Sequence, residues 1–247
     1  MSDLESTRMN PTGPAGDNLP VASRSSAIAL IDEGNAREEQ GRTTEAMARY
    51  DAAVQADPRC ARAHLNRGNV LLARGRIHEA RGEYQVAIAC DPHYAPAHFN
   101  LGNLNCRAGE YERALHDYQV AIAIKPDFAD AFVAKANALD KLGRASEAIE
   151  SYECALAINP GYAEVHFNLS VLAMTAGRYE QAADSLRRAI DLRPDYAEAH
   201  YALGRVLTRL RHLDAAEASL RRAPNALSDS AYADIRAPRM RERPRPV

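Results

Sequence analysis

Five prolines stand 34 residues apart in this 247-residue chain, without an insertion or a deletion between them. They are Pro58, Pro92, Pro126, Pro160 and Pro194. Proline ends a helix because it lacks a backbone donor and clashes with the preceding turn. A fixed period of roughly 20–50 residues is typical of a solenoid, in which each repeat buries its apolar face against its neighbours. The spacing therefore predicts one structural unit per 34 residues.

When proline is placed at repeat position 32, the same residue types recur at five further positions. Position 15 is glycine in the first five repeats, Gly41, Gly75, Gly109, Gly143 and Gly177, and is Arg211 in the last. Position 8 holds only Gly, Ala or Ser. Ala at positions 20 and 27 and Tyr or Leu at position 24 share one helical face. We expect two helices per repeat, joined by a glycine turn, with a neighbouring helix approaching position 8 closely. The repeats are 27–60, 61–94, 95–128, 129–162, 163–196 and 197–230.

This pattern resembles the tetratricopeptide repeat (TPR) family over residues 27 to about 230. The segment from Ala97 to Asn103, AHFNLGN, is similar to the repeats of O-GlcNAc transferases and their bacterial relatives. The resemblance implies an all-α fold, a TPR solenoid of six helical hairpins in a right-handed superhelix. It also implies that the first helix of each hairpin lines a concave groove.

The two ends depart from the repeat. Residues 1–24 carry several Pro and Gly and predict a flexible leader, with Ser26 as N-cap of a first helix that opens at Ala27. Residues 25–230 form the predicted array. Pro224 falls inside the last helix, so we expect the sixth repeat to be the least stable. Residues 231–247 predict a remnant capping helix and a basic, disordered tail, and self-association through the terminal repeats stays open.

Seven of the twelve asparagines occupy two positions in the first helix. Position 6 holds Asn66, Asn100 and Asn168, and position 9 holds Asn35, Asn69, Asn103 and Asn137. Asparagine is a poor helix former, costing up to about 0.7 kcal/mol relative to alanine, so a compensating role is expected. Resemblance to O-GlcNAc transferases implies that position-6 amides hold the backbone of an extended peptide. In the alternative, the amides bond neighbouring helices and fix repeat stacking.

Position 5 is apolar in every repeat and lies beside the amides. The row indicates a groove for an apolar peptide or helix, or else side chains that half pack inside the array. Its members are Ile31, Leu65, Phe99, Val133, Phe167 and Tyr201. From both rows, the predicted peptide-binding residues are Asn66, Asn69, Asn100, Asn103, Asn137, Asn168, Phe99 and Phe167.

Other chemistry has little support in the sequence. Four histidines at position 4, His64, His98, His166 and His200, are interpreted as packing residues, because helices about 8–10 Å apart cannot converge on one metal ion. No catalytic motif is present, so we predict no catalytic residue, metal, cofactor or small-molecule substrate. The net charge of −2 argues against nucleic-acid binding, and no apolar run is long enough for a membrane span.

The sequence therefore predicts a non-enzymatic scaffold or adaptor that binds a protein or peptide partner in the groove. The alternative is the substrate-recognition module of an O-GlcNAc-transferase-like glycosyltransferase. The first residues, Met1 to Asn10, lack the apolar region of a secretory signal, so a cytoplasmic location is expected. Abundant Arg and Ala favour a bacterial source.

Overall fold

A computed structural model describes residues 21–223, which form twelve α-helices and no strand. The helices pair into six hairpins, as the 34-residue period predicts. Their bounds are α1 Val21–Glu39, α2 Thr43–Ala56, α3 Ala61–Ala73, α4 Ile77–Cys90, α5 Ala95–Arg107, α6 Tyr111–Ile124, α7 Ala129–Lys141, α8 Ala145–Ile158, α9 Ala163–Thr175, α10 Tyr179–Leu192, α11 Ala197–Arg209 and α12 Leu213–Leu220. Among these helices, none combines the length and hydropathy needed to cross a bilayer.

The described chain divides into two compact units at Ala97, inside α5. The first unit contains α1 to α4, and the second contains α6 to α12 with the rest of α5. Within each unit, the second helix of one hairpin packs on the first helix of the next, as α2 does on α3 and α10 does on α11. The neighbouring hairpin therefore completes the core of each repeat.

The predicted turn glycines have the backbone conformation that requires glycine. Gly41, Gly75, Gly109, Gly143 and Gly177 all lie at φ between 71° and 78°, a region that residues with a Cβ adopt only at a cost. Arg211 takes the same place in the sixth hairpin at φ 64°, the only such non-glycine residue between positions 21 and 223. The prediction for position 15 is confirmed, and the last turn is strained.

The predicted core face of the second helix is also confirmed. In the second hairpin, Ala80, Tyr84 and Ala87 are each 0% exposed. Position 8 explains part of this packing, since a Cβ built on Gly68 would lie 2.6 Å from Cε1 of Tyr84. The close approach predicted at position 8 is therefore made by the ring at position 24 of the same hairpin.

The position-4 histidines link successive repeats. Nε2 of His64 lies 3.0 Å from the carbonyl oxygen of Pro58, and Nε2 of His200 lies 2.9 Å from that of Pro194. A carbonyl oxygen only accepts, so each Nε2 carries the proton and donates. In these two places the shared period of Pro and His reflects one contact, which satisfies a carbonyl in the turn after the second helix.

The first and last helices differ from expectation. Helix α1 begins at Val21 rather than at Ala27, so Ser26 lies inside the helix and does not cap it. Nothing between Val21 and Ala27 breaks a helix, and the nearest proline upstream is Pro20.

Helix α12 has eight residues where the other second helices have 14. Pro224, the predicted capping helix from Ala231, the basic tail and most of the leader lie outside the described residues.

Candidate functional site

The position-9 amides bond to the position-24 tyrosines of their own hairpins. Tyr84 donates its hydroxyl hydrogen to Oδ1 of Asn69 at 2.8 Å, and Tyr118 donates to Asn103 at the same distance. Tyr152 bonds Asn137 in the same way, whereas the Tyr50 hydroxyl lies 2.9 Å from Oδ1 of Asn35 and 2.7 Å from a carboxylate oxygen of Glu38. Each pair is 15 residues apart and connects the two helices of one hairpin. The tyrosine hydroxyl is therefore the hydrogen-bond partner that offsets the low helix propensity of asparagine at position 9.

Two of the three position-6 amides bond the preceding hairpin within their own unit. Nδ2 of Asn66 donates to Oδ1 of Asn35 at 2.9 Å, and Nδ2 of Asn168 donates to Oδ1 of Asn137 at 3.3 Å. These are the contacts that the stacking alternative predicts. The row is interrupted where position 6 is Ala134, so Asn103 receives no such bond from the next hairpin.

The tyrosines fix the direction in which the amides point. Burial raises the pKa of Tyr152 to about 12, so its hydroxyl stays protonated and donates. Two donors, from Tyr152 and Asn168, meet at the single Oδ1 of Asn137. The amide nitrogen of Asn137 therefore points away from them, and it has no partner among residues 21–223. Because Asn137 is exposed, this nitrogen can donate to a ligand.

The position-5 row differs between the two units. In the first unit, Ile31 is 0% and Leu65 is 7% exposed, so both belong to the core. In the second unit, Phe99 and Phe167 are half-buried. This is the half-packed arrangement that the sequence left as an alternative, and it leaves part of each ring accessible.

Aromatic side chains at position 34 extend this apolar surface, and the sequence analysis missed them. The ring of Phe99 lies 4.8 Å from that of Phe128, and the ring of Phe167 lies 5.3 Å from that of Tyr196. The signal was present, because position 34 is aromatic in four successive repeats, Tyr94, Phe128, Tyr162 and Tyr196. The neighbouring sequence does not distinguish an aromatic residue of the core from an exposed one, so the structure was needed to show that the position-34 rings are partly exposed.

Charged groups hold the position-34 rings in place. The guanidinium of Arg193 lies 4.5 Å over the Tyr196 ring and 3.2 Å from a carboxylate oxygen of Glu164. Tyr162 donates its hydroxyl hydrogen to Asp130, and this bond raises the pKa of Tyr162. The second unit therefore carries an exposed amide donor, that of Asn137, and partly exposed aromatic rings that charged groups contact. Among the described residues, no His, Cys, Asp and Glu side chains are grouped to hold a metal ion.

Solved structures with the same fold include those of pilF, MamA and YrrB. The structure of pilF from Pseudomonas aeruginosa matches with a TM-score of 0.77 and 20% identity, over 86% of this chain and 98% of that one. MamA matches with a TM-score of 0.59 and 24% identity, over 67% and 96%. YrrB, described as a TPR protein with an unusual peptide-binding site, matches with a TM-score of 0.59 and 25% identity, over 71% and 91%.

Family models agree with these likenesses, although no curated protein matches the chain. One tetratricopeptide repeat model matches residues 31–95 and 133–191, which together are half of the chain. Further models of the same repeat match residues 83–116, 102–143 and 173–237. The finer resemblance to O-GlcNAc transferases stays a prediction. The chain belongs to the tetratricopeptide repeat family.

Proposed function

We propose that this chain is a non-enzymatic adaptor that binds an extended peptide of a protein partner on the face formed by positions 5, 6, 9 and 34 of its repeats. TPR proteins are generally protein-interaction scaffolds. Within the second unit, the proposal rests on one observation above all. The amide nitrogen of Asn137 is exposed, oriented and without a partner among the described residues.

Orientation matters because it lowers the cost of binding. A free asparagine must lose rotational freedom before it bonds a peptide, whereas Asn137 is already held by Tyr152 and Asn168. Its amide hydrogens fit the carbonyl oxygens of an extended backbone. The stacking contacts and peptide binding are therefore compatible, since they use different atoms of the same amide.

The rings supply the apolar part of the proposed contact. Phe99 and Phe167 are half-buried, and their rings contact those of Phe128 and Tyr196. Rigid aromatic rings of this kind contribute contact area at low cost in conformational entropy. YrrB, a TPR protein of 25% identity, is described as having a peptide-binding site, which supports a peptide as the ligand.

The substitution Asn137→Asp tests the amide. A carboxylate keeps the acceptor for Tyr152 and Asn168 but removes both donors and adds a negative charge. Peptides selected from a random library displayed on phage serve as the ligand, and fluorescence anisotropy measures their dissociation constants. We expect Asn137→Asp to weaken binding at least tenfold without lowering the melting temperature.

Gln119→Glu is the matched control. It makes the same amide-to-carboxylate change on an exposed position of α6 in the same unit, away from the proposed face. Affinity should be unchanged in this variant. Peptides that bind Asn137→Asp as tightly as the wild type, but lose affinity in Gln119→Glu, would place the site on the second helices and contradict the proposal.

A further inference from the structure

A cavity of about 330 Å³ opens between α8, α9 and α10 in the second unit. Ile149, Leu156, Leu169 and Ala173 form its apolar walls. Glu153, His166, Ser185 and Arg188 line it with polar groups, together with Arg178, Gln181 and Asp184. None of these residues belongs to the face proposed above, so the cavity is a separate feature of the molecule.

The cavity arises from two substitutions within the repeat. In the second hairpin, Nδ1 of His64 lies 2.8 Å from a carboxylate oxygen of Glu83 at position 23, and that carboxylate also bonds Arg67 at position 7. In the fifth hairpin, the same positions hold the smaller Ser185 and the uncharged Leu169. The network that fills this place in one hairpin is absent from the other, and space remains beside the histidine.

Several polar groups that line the cavity have no partner among residues 21–223. The hydroxyl of Ser185 is one, although the equivalent Ser151 and Ser219 donate to carbonyl oxygens of their own helices at 2.9 and 3.0 Å. The carboxylate of Glu153 and the guanidinium of Arg188 are two more, since neither forms an ion pair with a described residue.

Among the other polar groups at the cavity, Asp184, Gln181 and His166 are paired or neutral. Asp184 is bound to Arg187 at 2.8 Å, and Arg178 reaches Gln181 at 3.5 Å. Burial and the nearby Arg188 charge lower the pKa of His166, so its imidazole is neutral at neutral pH. The charged groups at the cavity that form no ion pair with a described residue are therefore the carboxylate of Glu153 and the guanidinium groups of Arg178 and Arg188.

We propose that this cavity binds a free α-amino acid with an aliphatic side chain. The ligand's carboxylate pairs with Arg188, its ammonium group pairs with Glu153, and its side chain lies against Ile149, Leu156 and Leu169. Unpaired groups of opposite charge beside a cluster of apolar side chains match a ligand that carries both charges and an apolar side chain. A ligand without an ammonium group would leave Glu153 unpaired, and a ligand without a carboxylate would leave both guanidinium groups unpaired.

Isothermal titration calorimetry with L-leucine and the full chain tests this assignment. We expect one leucine bound per chain, with affinity at least tenfold weaker in Arg188→Ala and in Glu153→Gln. Both residues are exposed enough that these variants should fold normally. The variant Ser185→Leu fills the cavity and should abolish binding. Its matched control, Ser219→Leu, changes the equivalent position of the sixth hairpin and should leave leucine binding intact.

Two analogues test whether both charges are used. The compound 4-methylpentanoate keeps the side chain and carboxylate of leucine, and 3-methylbutylamine keeps the side chain and the ammonium group. Each should bind at least tenfold more weakly than leucine. The proposal is overturned if leucine gives no binding heat at millimolar concentration. It is also overturned if Arg188→Ala binds leucine as tightly as the wild type, or if either analogue matches leucine.

Discussion

Gly68 and Gly82 lie in the two helices of one hairpin, and replacing each by alanine should have opposite effects on stability. A Cβ on Gly68 would lie 2.6 and 2.8 Å from ring carbons of Tyr84, which is 0% exposed. A Cβ on Gly82 would have no atom within 4 Å outside its own helix. The same change of residue therefore meets a buried ring at one position and open space at the other.

The magnitudes follow from helix propensity and packing. In a helix interior, alanine is favoured over glycine by about 0.5–1 kcal/mol, so Gly82→Ala should raise the free energy of unfolding by that amount. Gly68→Ala gains the same propensity but forces the Tyr84 ring to move, and overpacking costs roughly 1–3 kcal/mol. The fourth hairpin accommodates Ala136 opposite Tyr152, so we place the difference between the two variants near 1–2 kcal/mol.

Urea unfolding followed by circular dichroism measures both variants against the wild type, with the slope of the transition checked for constancy. Hydrogen exchange in α3 and α4 then shows whether the change is local to this hairpin. If Gly68→Ala were as stable as Gly82→Ala, the close approach of Tyr84 would not constrain position 8, and the packing argument for that position would be refuted.

Three further changes test other parts of the fold. Arg211→Gly should raise the free energy of unfolding by about 1 kcal/mol, because only glycine adopts φ 64° without strain; an unchanged urea midpoint would show that this turn is unstrained. Burial opposes ionisation of Glu83, but hydrogen bonds from Arg67 and His64 outweigh it and hold the pKa of Glu83 below its ordinary value. Its contribution to stability is therefore present above the ordinary pKa and lost as the pH falls through the lowered one, so Glu83→Gln should flatten the acid side of a stability–pH profile. Tyr152→Phe removes the hydroxyl that orients its asparagine and should cost about 0.5–1.5 kcal/mol in thermal unfolding; no loss would mean that the bond is not formed in solution.

The repeat architecture was predictable because its determinants are local. Glycine adopts the left-handed conformation of this turn without strain, so a glycine such as Gly75 stands at the same offset in the first five repeats. The start of α1 was not predictable to the same degree. Ser26 is a good N-cap by residue type, but the helix continues back to Val21 because no residue between them breaks it.

The candidate site was predictable in composition but not in geometry. The repetition of Asn137 and its equivalents was visible in the sequence, whereas its bond to Tyr152 joins residues in separate helices. The cavity beside His166 is formed by side chains from three helices, so Ser185 alone could not indicate a cavity in the sequence. The division of the chain into leader, array and tail stays a prediction.

The double variant Asn100→Ala, Asn168→Ala most directly tests whether the face formed by positions 5, 6, 9 and 34 binds a peptide. Asn168 donates one long bond of 3.3 Å to Asn137, and the better helix propensity of alanine offsets its loss. We therefore predict a melting temperature that is unchanged or slightly raised, with affinity for a selected peptide reduced by about 1–3 kcal/mol. An unchanged affinity together with a lowered melting temperature would show that these amides serve repeat stacking alone, and it would contradict the account.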